Sequence, residues 1–141
     1  MTTTKSEDPN ERVHHPRHYN AHPSGIETIE LIEHLPCNLS NAVKYIWRCG
    51  LKQTETPLRD LQSAKWYTDR EIRRTELFEL EDEPKPKTEI VWRSLARQVV
   101  AAEKTGSLLS GYLEALLLGH FDEMIEEIDF AIGTGAEEMR T

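Results

Sequence analysis

The sequence predicts an all-α protein, a bundle of about six helices with no substantial sheet. Three observations support this fold class. Apolar residues recur at helical spacing in most segments, and Ser, Thr, Pro and Gly stand where helices would begin and end. No stretch alternates apolar and polar residues for long enough to indicate a strand. With 141 residues, the chain has the usual length of a single domain.

The amino-terminal third is predicted to hold a tail, a loop and two helices. Residues 1–13 are polar and are expected to be disordered, and a loop rich in Pro and His follows as far as Gly25. The first helix is predicted over 26–35, where Pro36 stops it. The second is expected to start with Ser40 as its N-cap.

The middle of the chain is predicted to form a long helix followed by a connection. Thr56 followed by Pro57 is typical of a helix start, and the helical pattern reaches Arg74 or beyond. Residues 79–88 combine acids, lysines and two prolines, which indicates a linker or exposed turn. The helical region over 14–78 would therefore precede a second helical region over 89–141 that packs on it.

Three helices are predicted after this linker. Each is followed by a glycine, the residue that most readily adopts the left-handed conformation at a helix end. The predicted helices and their terminating glycines are 89–104 with Gly106, 108–118 with Gly119, and 121–132 with Gly133.

The composition excludes several classes of partner. The chain carries a formal net charge of -8, so an extended surface for a nucleic-acid polymer is not expected. The longest apolar stretch, over 113–119, is broken by Glu114 and is too short to cross a bilayer, so no membrane partner is expected. Cys37 and Cys49 form no disulfide framework, which predicts a cytoplasmic protein.

The segment NAVKYIWRCGLK over 41–52 is a basic stripe in this acidic chain. On a helix its apolar residues face one way, and its polar residues share an arc of about 100°; these polar residues are Asn41, Lys44, Tyr45 and Arg48. Gly50 is expected to end the helix, so that Lys52 approaches from a loop. An Arg and a Lys one turn apart can bind phosphate oxygens; the alternative is an exposed helix face on which the two cations are solvated or paired to acids.

Four ordered motifs then suggest a family. HPRHY over 15–19, GIE over 25–27, the 41–52 stripe and DLQSAKWY over 60–67 resemble the SaV-like phage protein family, long labelled as of unknown function. The resemblance covers 14–74. One group in that family is described as deoxynucleoside monophosphate kinases without a P-loop. The resemblance therefore implies a nucleotide-binding phage protein that transfers a phosphoryl group from a nucleoside triphosphate.

The expected site combines phosphate binding, base binding and charge neutralisation. We expect catalysis to use Lys44, Arg48 and Asp60, the last positioning a magnesium ion or the acceptor. Nucleotide binding is expected from His15, His18, Tyr19, Asn41, Tyr45, Lys52 and Tyr67. In this set Lys52 adds a phosphate contact, one of the two histidines donates to phosphate or base, and the tyrosines and Asn41 read or stack the base. Magnesium would accompany a nucleoside triphosphate, and no organic cofactor is expected.

Two other functions fit parts of the same sequence. A protein that sequesters a nucleotide without catalysis, in the service of a phage against its host, needs the basic stripe alone. An all-α nucleoside triphosphate pyrophosphatase would need two pairs of carboxylates, Glu27 with Glu30 and Glu126 with Asp129, to meet across the fold. No GxxxxGK[ST] or GxGxxG motif indicates a P-loop or dinucleotide enzyme.

Three further features lead to weaker expectations. The histidines at 14, 15, 18 and 22 are irregularly spaced and lack a nearby Cys or acid cluster, so they are not predicted to bind a metal. Lys65 falls in an apolar stripe of its helix, and its ammonium is expected to reach the bundle edge or join the site. The leucine-rich segment over 108–118 is expected to make the protein a homo-oligomer.

Overall fold

The computed structural model describes residues 22–50, 56–78 and 87–134, and all regular secondary structure within them is α-helix. This confirms the all-α prediction. Six helices follow one another in the order α1 Thr28–Ile32, α2 Cys37–Gly50, α3 Pro57–Phe78, α4 Lys87–Ala102, α5 Leu108–Leu118 and α6 Phe121–Thr134. In the described part of the chain, no helix is both long and apolar enough to cross a membrane.

The first two helices differ from the prediction at their ends. The backbone N–H groups of His34 and Leu35 donate to carbonyls three residues earlier, which tightens the chain after α1 and ends the helix before the predicted Leu35. Helix α2 begins at Cys37, directly after Pro36. The Ser40 N–H donates to the Pro36 carbonyl at 2.8 Å, so Ser40 lies in the first turn and is not the N-cap.

The later helix ends follow the sequence signals with three exceptions. Helix α3 begins at Pro57 as predicted, and α5 ends at Leu118, followed by Gly119 with φ of 75°. Helix α4 begins at Lys87, within the 79–88 segment that was predicted as a linker. Helix α4 ends at Ala102, because Gly106 belongs to the turn that leads into α5 and not to the end of α4. Helix α6 continues through Gly133, which was predicted to end it.

The helices enclose one apolar core. Helices α2 and α3 share the largest contact, and α3 also packs on α6, while α5 contacts α2, α4 and α6. The short α1 lies on α2 and α4. The largest side chains with no exposed surface are Trp47, Tyr112, Leu31, Ile46, Leu61, Leu113, Met124 and Ile128.

The leucine-rich helix α5 belongs to this core. Leu108, Leu109, Leu113 and Leu116 are all buried by the chain's own helices, and Leu118 is the exposed leucine at its end. The sequence-based reason for expecting self-association through this segment is therefore wrong. A short helix can be apolar on most of its surface when, as here, three other helices pack against it.

One polar connection joins α3 and α5 within the core. The Thr68 hydroxyl donates to the Ala64 carbonyl at 2.8 Å, so the Tyr112 hydroxyl, also 2.8 Å away, donates to Thr68. Burial raises the pKa of Tyr112, which therefore stays protonated. Each buried hydroxyl thus has a partner, and the bond fixes the relative position of α3 and α5.

His22 anchors the chain before α1 to the end of α4. Its Nδ1 accepts from the Ser24 N–H at 3.0 Å, so Nε2 carries the hydrogen and donates to Glu103 Oε2 at 2.6 Å. The ring packs on Trp47 with centroids 5.2 Å apart. The bond from His22 lowers the pKa of the Glu103 carboxyl. Both ring nitrogens of His22 are thus occupied by protein groups.

The His22–Glu103 bond predicts a pH-dependent contribution to stability. Because the pKa of Glu103 is lowered on folding, its contribution is present above the ordinary carboxyl pKa and is lost as the pH falls below it. We expect Glu103→Gln to lower the free energy of unfolding by about 1 kcal/mol at neutral pH. The difference in the free energy of unfolding between Glu103→Gln and the parent protein should shrink as the pH falls from about 5 to about 3.

Urea unfolding at a series of pH values measures this effect. Glu76→Gln is the matched control, because Glu76 is an exposed glutamate on α3 and its loss should leave stability nearly unchanged. A stability difference between Glu103→Gln and the parent that stays constant down to pH 3 would contradict the assignment.

Candidate functional site

The candidate site lies where the end of α2 meets the beginning of α3. Helix amphipathicity places Ile46 and Trp47 in the core and turns Lys44, Tyr45 and Arg48 toward α3. These last three side chains are partly buried, so this helix face is not fully solvated. Arg48 faces Asp60, as in the form of the alternative in which the cations pair with acids. Helix α2 ends at Gly50, as the sequence predicted.

Arg48 and Asp60 form the charged centre of the site. Arg48 Nε lies 4.0 Å from Asp60 Oδ2, which is close enough for attraction and too far for a hydrogen bond. The Asp60 side chain is 4% exposed and that of Arg48 is 28% exposed. Neither of the two atoms has a hydrogen-bond partner among the described residues. A buried, incompletely paired ion pair of this kind is costly to maintain and is typical of functional sites.

The Tyr45 ring lies between the two cations of α2, Lys44 and Arg48, and two aromatic residues of α3, Tyr67 and Trp66. The Lys44 Nζ is 5.7 Å and the Arg48 Cζ 5.8 Å from the centroid of its ring, both within the range of a cation–π contact. The ring stacks on Tyr67 with centroids 6.1 Å apart and planes 15° from parallel. Trp66 contacts Tyr67 edge-on at 5.0 Å. The site therefore combines positive charge with aromatic surface.

Trp47, next to Arg48 in the chain, adds an unpaired donor. The residue is fully buried, and its Nε1 has no hydrogen-bond partner among the described residues. Buried indoles usually find an acceptor. Together with the atoms of Arg48 and Asp60, it is one of the three buried side-chain polar atoms without a partner in the described part of the chain.

The structure brings together five of the ten predicted site residues through the contacts given above: Lys44, Tyr45, Arg48, Asp60 and Tyr67. Asn41 is not joined to them, because its amide donates back to the Cys37 carbonyl at 3.0 Å. The predicted residues His15, His18, Tyr19 and Lys52 lie outside the described residues.

Lys65 does not join the site. Its Nζ binds Asp129 Oδ1 at 2.8 Å and so links α3 to α6, and this pairing raises the pKa of Lys65. Of the two expected positions for this ammonium, the structure therefore has the one at the bundle edge. Its carboxylate partner Asp129 was one of the acids considered for a pyrophosphatase site.

The carboxylate pairs considered for a pyrophosphatase lie on helices that pack on different neighbours. Helix α1 packs on α2 and α4, whereas α6 packs on α5 and α3. Glu30 accepts from the Glu27 N–H at 3.3 Å and so caps α1. No cluster of three or more His, Cys, Asp or Glu side chains suited to a metal occurs in the described ranges.

Residues 13–69 match the model of a family described as a protein of unknown function, DUF3310. The match covers less than half of the chain. It includes α1, α2, the first half of α3 and all ten predicted site residues. No curated protein and no solved structure matches the chain.

Sequence reasoning missed three residues near the site. Trp47 was assigned to the core alone, although a buried indole also needs an acceptor, and that requirement was the available signal. Trp66 was noted only within a motif. His22 was grouped with the other histidines, and nothing in the sequence indicates that it bonds to Glu103, 81 residues further along the chain.

The unequal burial of Arg48 and Asp60 predicts unequal effects on stability. Arg48→Met removes the cation and leaves the buried Asp60 carboxylate without a compensating charge. This variant should lower the free energy of unfolding by about 2 kcal/mol, less than for a fully buried pair because Arg48 is partly exposed. Asp60→Asn leaves a guanidinium that water can reach, so it should lower the free energy of unfolding by less than about 1 kcal/mol.

Urea unfolding at neutral pH tests this asymmetry. The double variant Arg48→Met/Asp60→Asn should recover much of the stability lost in Arg48→Met, because no unpaired charge then remains. Equal losses in the two single variants, with additive loss in the double variant, would show that the two side chains are not coupled.

Proposed function

We propose that the protein binds a nucleotide at the α2–α3 site and acts as a deoxynucleoside monophosphate kinase that takes its phosphoryl group from a nucleoside triphosphate. The observation that carries this proposal is the arrangement of Arg48 and Lys44 around Tyr45, with Tyr67 stacked behind it. The cations suit a phosphate, and the aromatic pair offers a surface for a base.

The orientation of Arg48 supports phosphate binding. Its Nε faces the Asp60 carboxylate, while the guanidinium remains partly exposed. Held in this way, the terminal nitrogens can donate to two oxygens of one phosphate group, a geometry that a lysine cannot reproduce. Lys44, one turn earlier on the same helix, supplies a second positive charge.

Asp60 fits the role of a positioning residue better than that of a metal ligand. Its carboxylate is almost fully buried and faces the guanidinium of Arg48. It therefore does not fit as a magnesium ligand in this arrangement, and we derive no step through a protein-bound metal. In this proposal any magnesium ion arrives with the nucleoside triphosphate as part of the substrate.

The burial of Asp60 also favours a second candidate function. A protein that only sequesters a nucleotide needs the cations and the aromatic pair, and it needs no carboxylate open to the reacting groups. The resemblance to the SaV-like phage family supports the kinase, whereas the geometry around Asp60 supports the binder equally well. The two functions differ in whether the bound nucleotide is changed.

Chromatography of labelled nucleotides distinguishes these functions. Incubation of the protein with a deoxynucleoside monophosphate, a nucleoside triphosphate and magnesium should yield a deoxynucleoside diphosphate. A ligand that is retained and recovered unchanged would identify a sequestering protein. Conversion of a triphosphate into a monophosphate would identify a pyrophosphatase and overturn the kinase proposal.

Titration calorimetry tests the phosphate contacts separately from catalysis. Arg48→Lys keeps the charge and loses the planar fork, and Lys44→Ala loses the charge. Each should weaken binding of deoxynucleoside monophosphates by about 1.5 to 3 kcal/mol, a ten- to hundredfold rise in Kd.

Arg97→Lys and Lys104→Ala are the matched controls, because both residues are exposed and lie on α4 or directly after it. These two variants should bind nucleotides as the parent protein does. Unchanged affinity in both Arg48→Lys and Lys44→Ala would refute the phosphate site whether or not a reaction is detected.

A further inference from the structure

The outward side of α3 is a basic face with an aromatic residue at its centre. At 100° per residue, Arg59, Trp66, Arg70 and Arg73 share an arc of about 60° and extend over about 21 Å. All four are exposed, Trp66 by 58%. The three arginines have no ion-pair partner within the described ranges. This face is directed away from the core and includes neither Arg48 nor Asp60; it meets the candidate site at Trp66, whose ring contacts Tyr67 edge-on.

The neighbouring helix α6 has an acidic outward side. Asp122, Glu126, Asp129 and Phe130 share an arc of about 100° and are exposed, Phe130 by 68%. Of these acids, Asp129 pairs with Lys65, and that bond holds α3 beside α6. Asp122 and Glu126 have no ion-pair partner among the described residues. Each helix thus presents unpaired charges of one sign and one exposed aromatic ring.

We propose that these two sides, here called the α3–α6 outer face, form a two-fold interface with a second copy of this chain. In a symmetric dimer the same surface of each copy meets the other, so the basic side of α3 can lie on the acidic side of α6 twice. The same arrangement covers Trp66 of one copy with Phe130 of the other. Large aromatic residues surrounded by charges are typical of the centre of an interface.

Charge complementarity selects this partner over a nucleic acid. A polyanion on α3 would also run beside the acids of α6, on a chain with a net charge of -8, and would be repelled. A second copy brings both signs of charge and satisfies both helices. The contacts are largely ionic, and the interface would belong to the smaller class of protein–protein interfaces. The dimer should therefore have micromolar affinity and weaken at high salt.

A charge-reversal pair tests the geometry. Arg70→Glu/Arg73→Glu makes α3 acidic, and Asp122→Arg/Glu126→Arg makes α6 basic. Each variant alone should sediment as a monomer of 16.3 kDa, because like charges then face each other at both contacts. An equimolar mixture should form a dimer of twice that mass, because every contact again joins opposite charges.

Controls separate this effect from net charge and misfolding. Arg97→Glu/Lys104→Glu makes the same change of net charge on exposed residues of α4 and the turn after it, and should dimerise as the parent protein does. Circular dichroism checks that every variant is helical. Trp66→Ala in the otherwise unchanged chain should weaken dimerisation about tenfold, as expected for a central aromatic residue.

Three results would overturn the proposal. The parent protein could remain a monomer at all micromolar concentrations in low salt, which would indicate that the face is covered by the chain's own remaining residues or by nothing. The mixture of the two reversed variants could remain monomeric. A labelled single-stranded oligonucleotide could bind the monomeric parent protein and lose binding in Arg70→Glu/Arg73→Glu, which would make the face a nucleic-acid surface.

Discussion

The antiparallel contact between α2 and α3 is the constraint on which the rest of this structure depends. Near the start of α2, Asn38 donates to Glu71 at 3.2 Å, and near its end Arg48 faces Asp60. Glu71 is buried and also binds Arg74 through two bonds of 2.8 Å. Because polar pairs lie at both ends of the contact, sliding one helix along the other would leave buried charges unpaired, so the register is fixed.

This register determines what the candidate site can do. Tyr45 meets Tyr67 between the two polar ends, so the aromatic pair lies beside the charged pair. At the end near Asn38, the buried Glu71 carboxylate accepts from Asn38 and Arg74, whereas at the other end Arg48 Nε and Asp60 Oδ2 have no hydrogen-bond partner among the described residues. Fully paired buried groups stabilise a fold, and unpaired ones are a cost that function can explain. This contrast within one interface is the strongest structural reason to assign the ligand to the Arg48 end.

Acidic and basic residues occupy different surfaces of the described helices. The acidic excess lies on helices such as α6, where Glu127 has its pKa raised by burial and by nearby acids including Glu114. Among the described cations, Lys44 and Arg48 lie on α2, and Arg59, Arg70 and Arg73 lie on the outward side of α3. In the two proposals, a small anion approaches the first group at the α2–α3 contact, and a complementary protein surface covers the second. A chain with a net negative charge can therefore offer two basic surfaces to partners of different size.

The sequence alone determined the helical class and several helix ends, because periodicity and the residues at helix ends act over a few neighbouring positions. It also placed Lys44, Tyr45 and Arg48 on one side of α2 for the same reason. Ser40 and Gly133 show the limit of local signals, since each can lie inside a helix when tertiary packing favours its continuation.

Only the tertiary structure decided which distant residues meet. Three features depend on contacts between segments that are far apart in sequence. They are the approach of Arg48 to Asp60, the bond of His22 to Glu103 and the burial of the α5 leucines. Residue spacing within a helix carries no information on such contacts, because the neighbouring helix decides which residues are buried and paired. The helical repeat of apolar residues does not identify that neighbour. The sequence therefore determined the sides of each helix, and packing decided which side became core, site or surface.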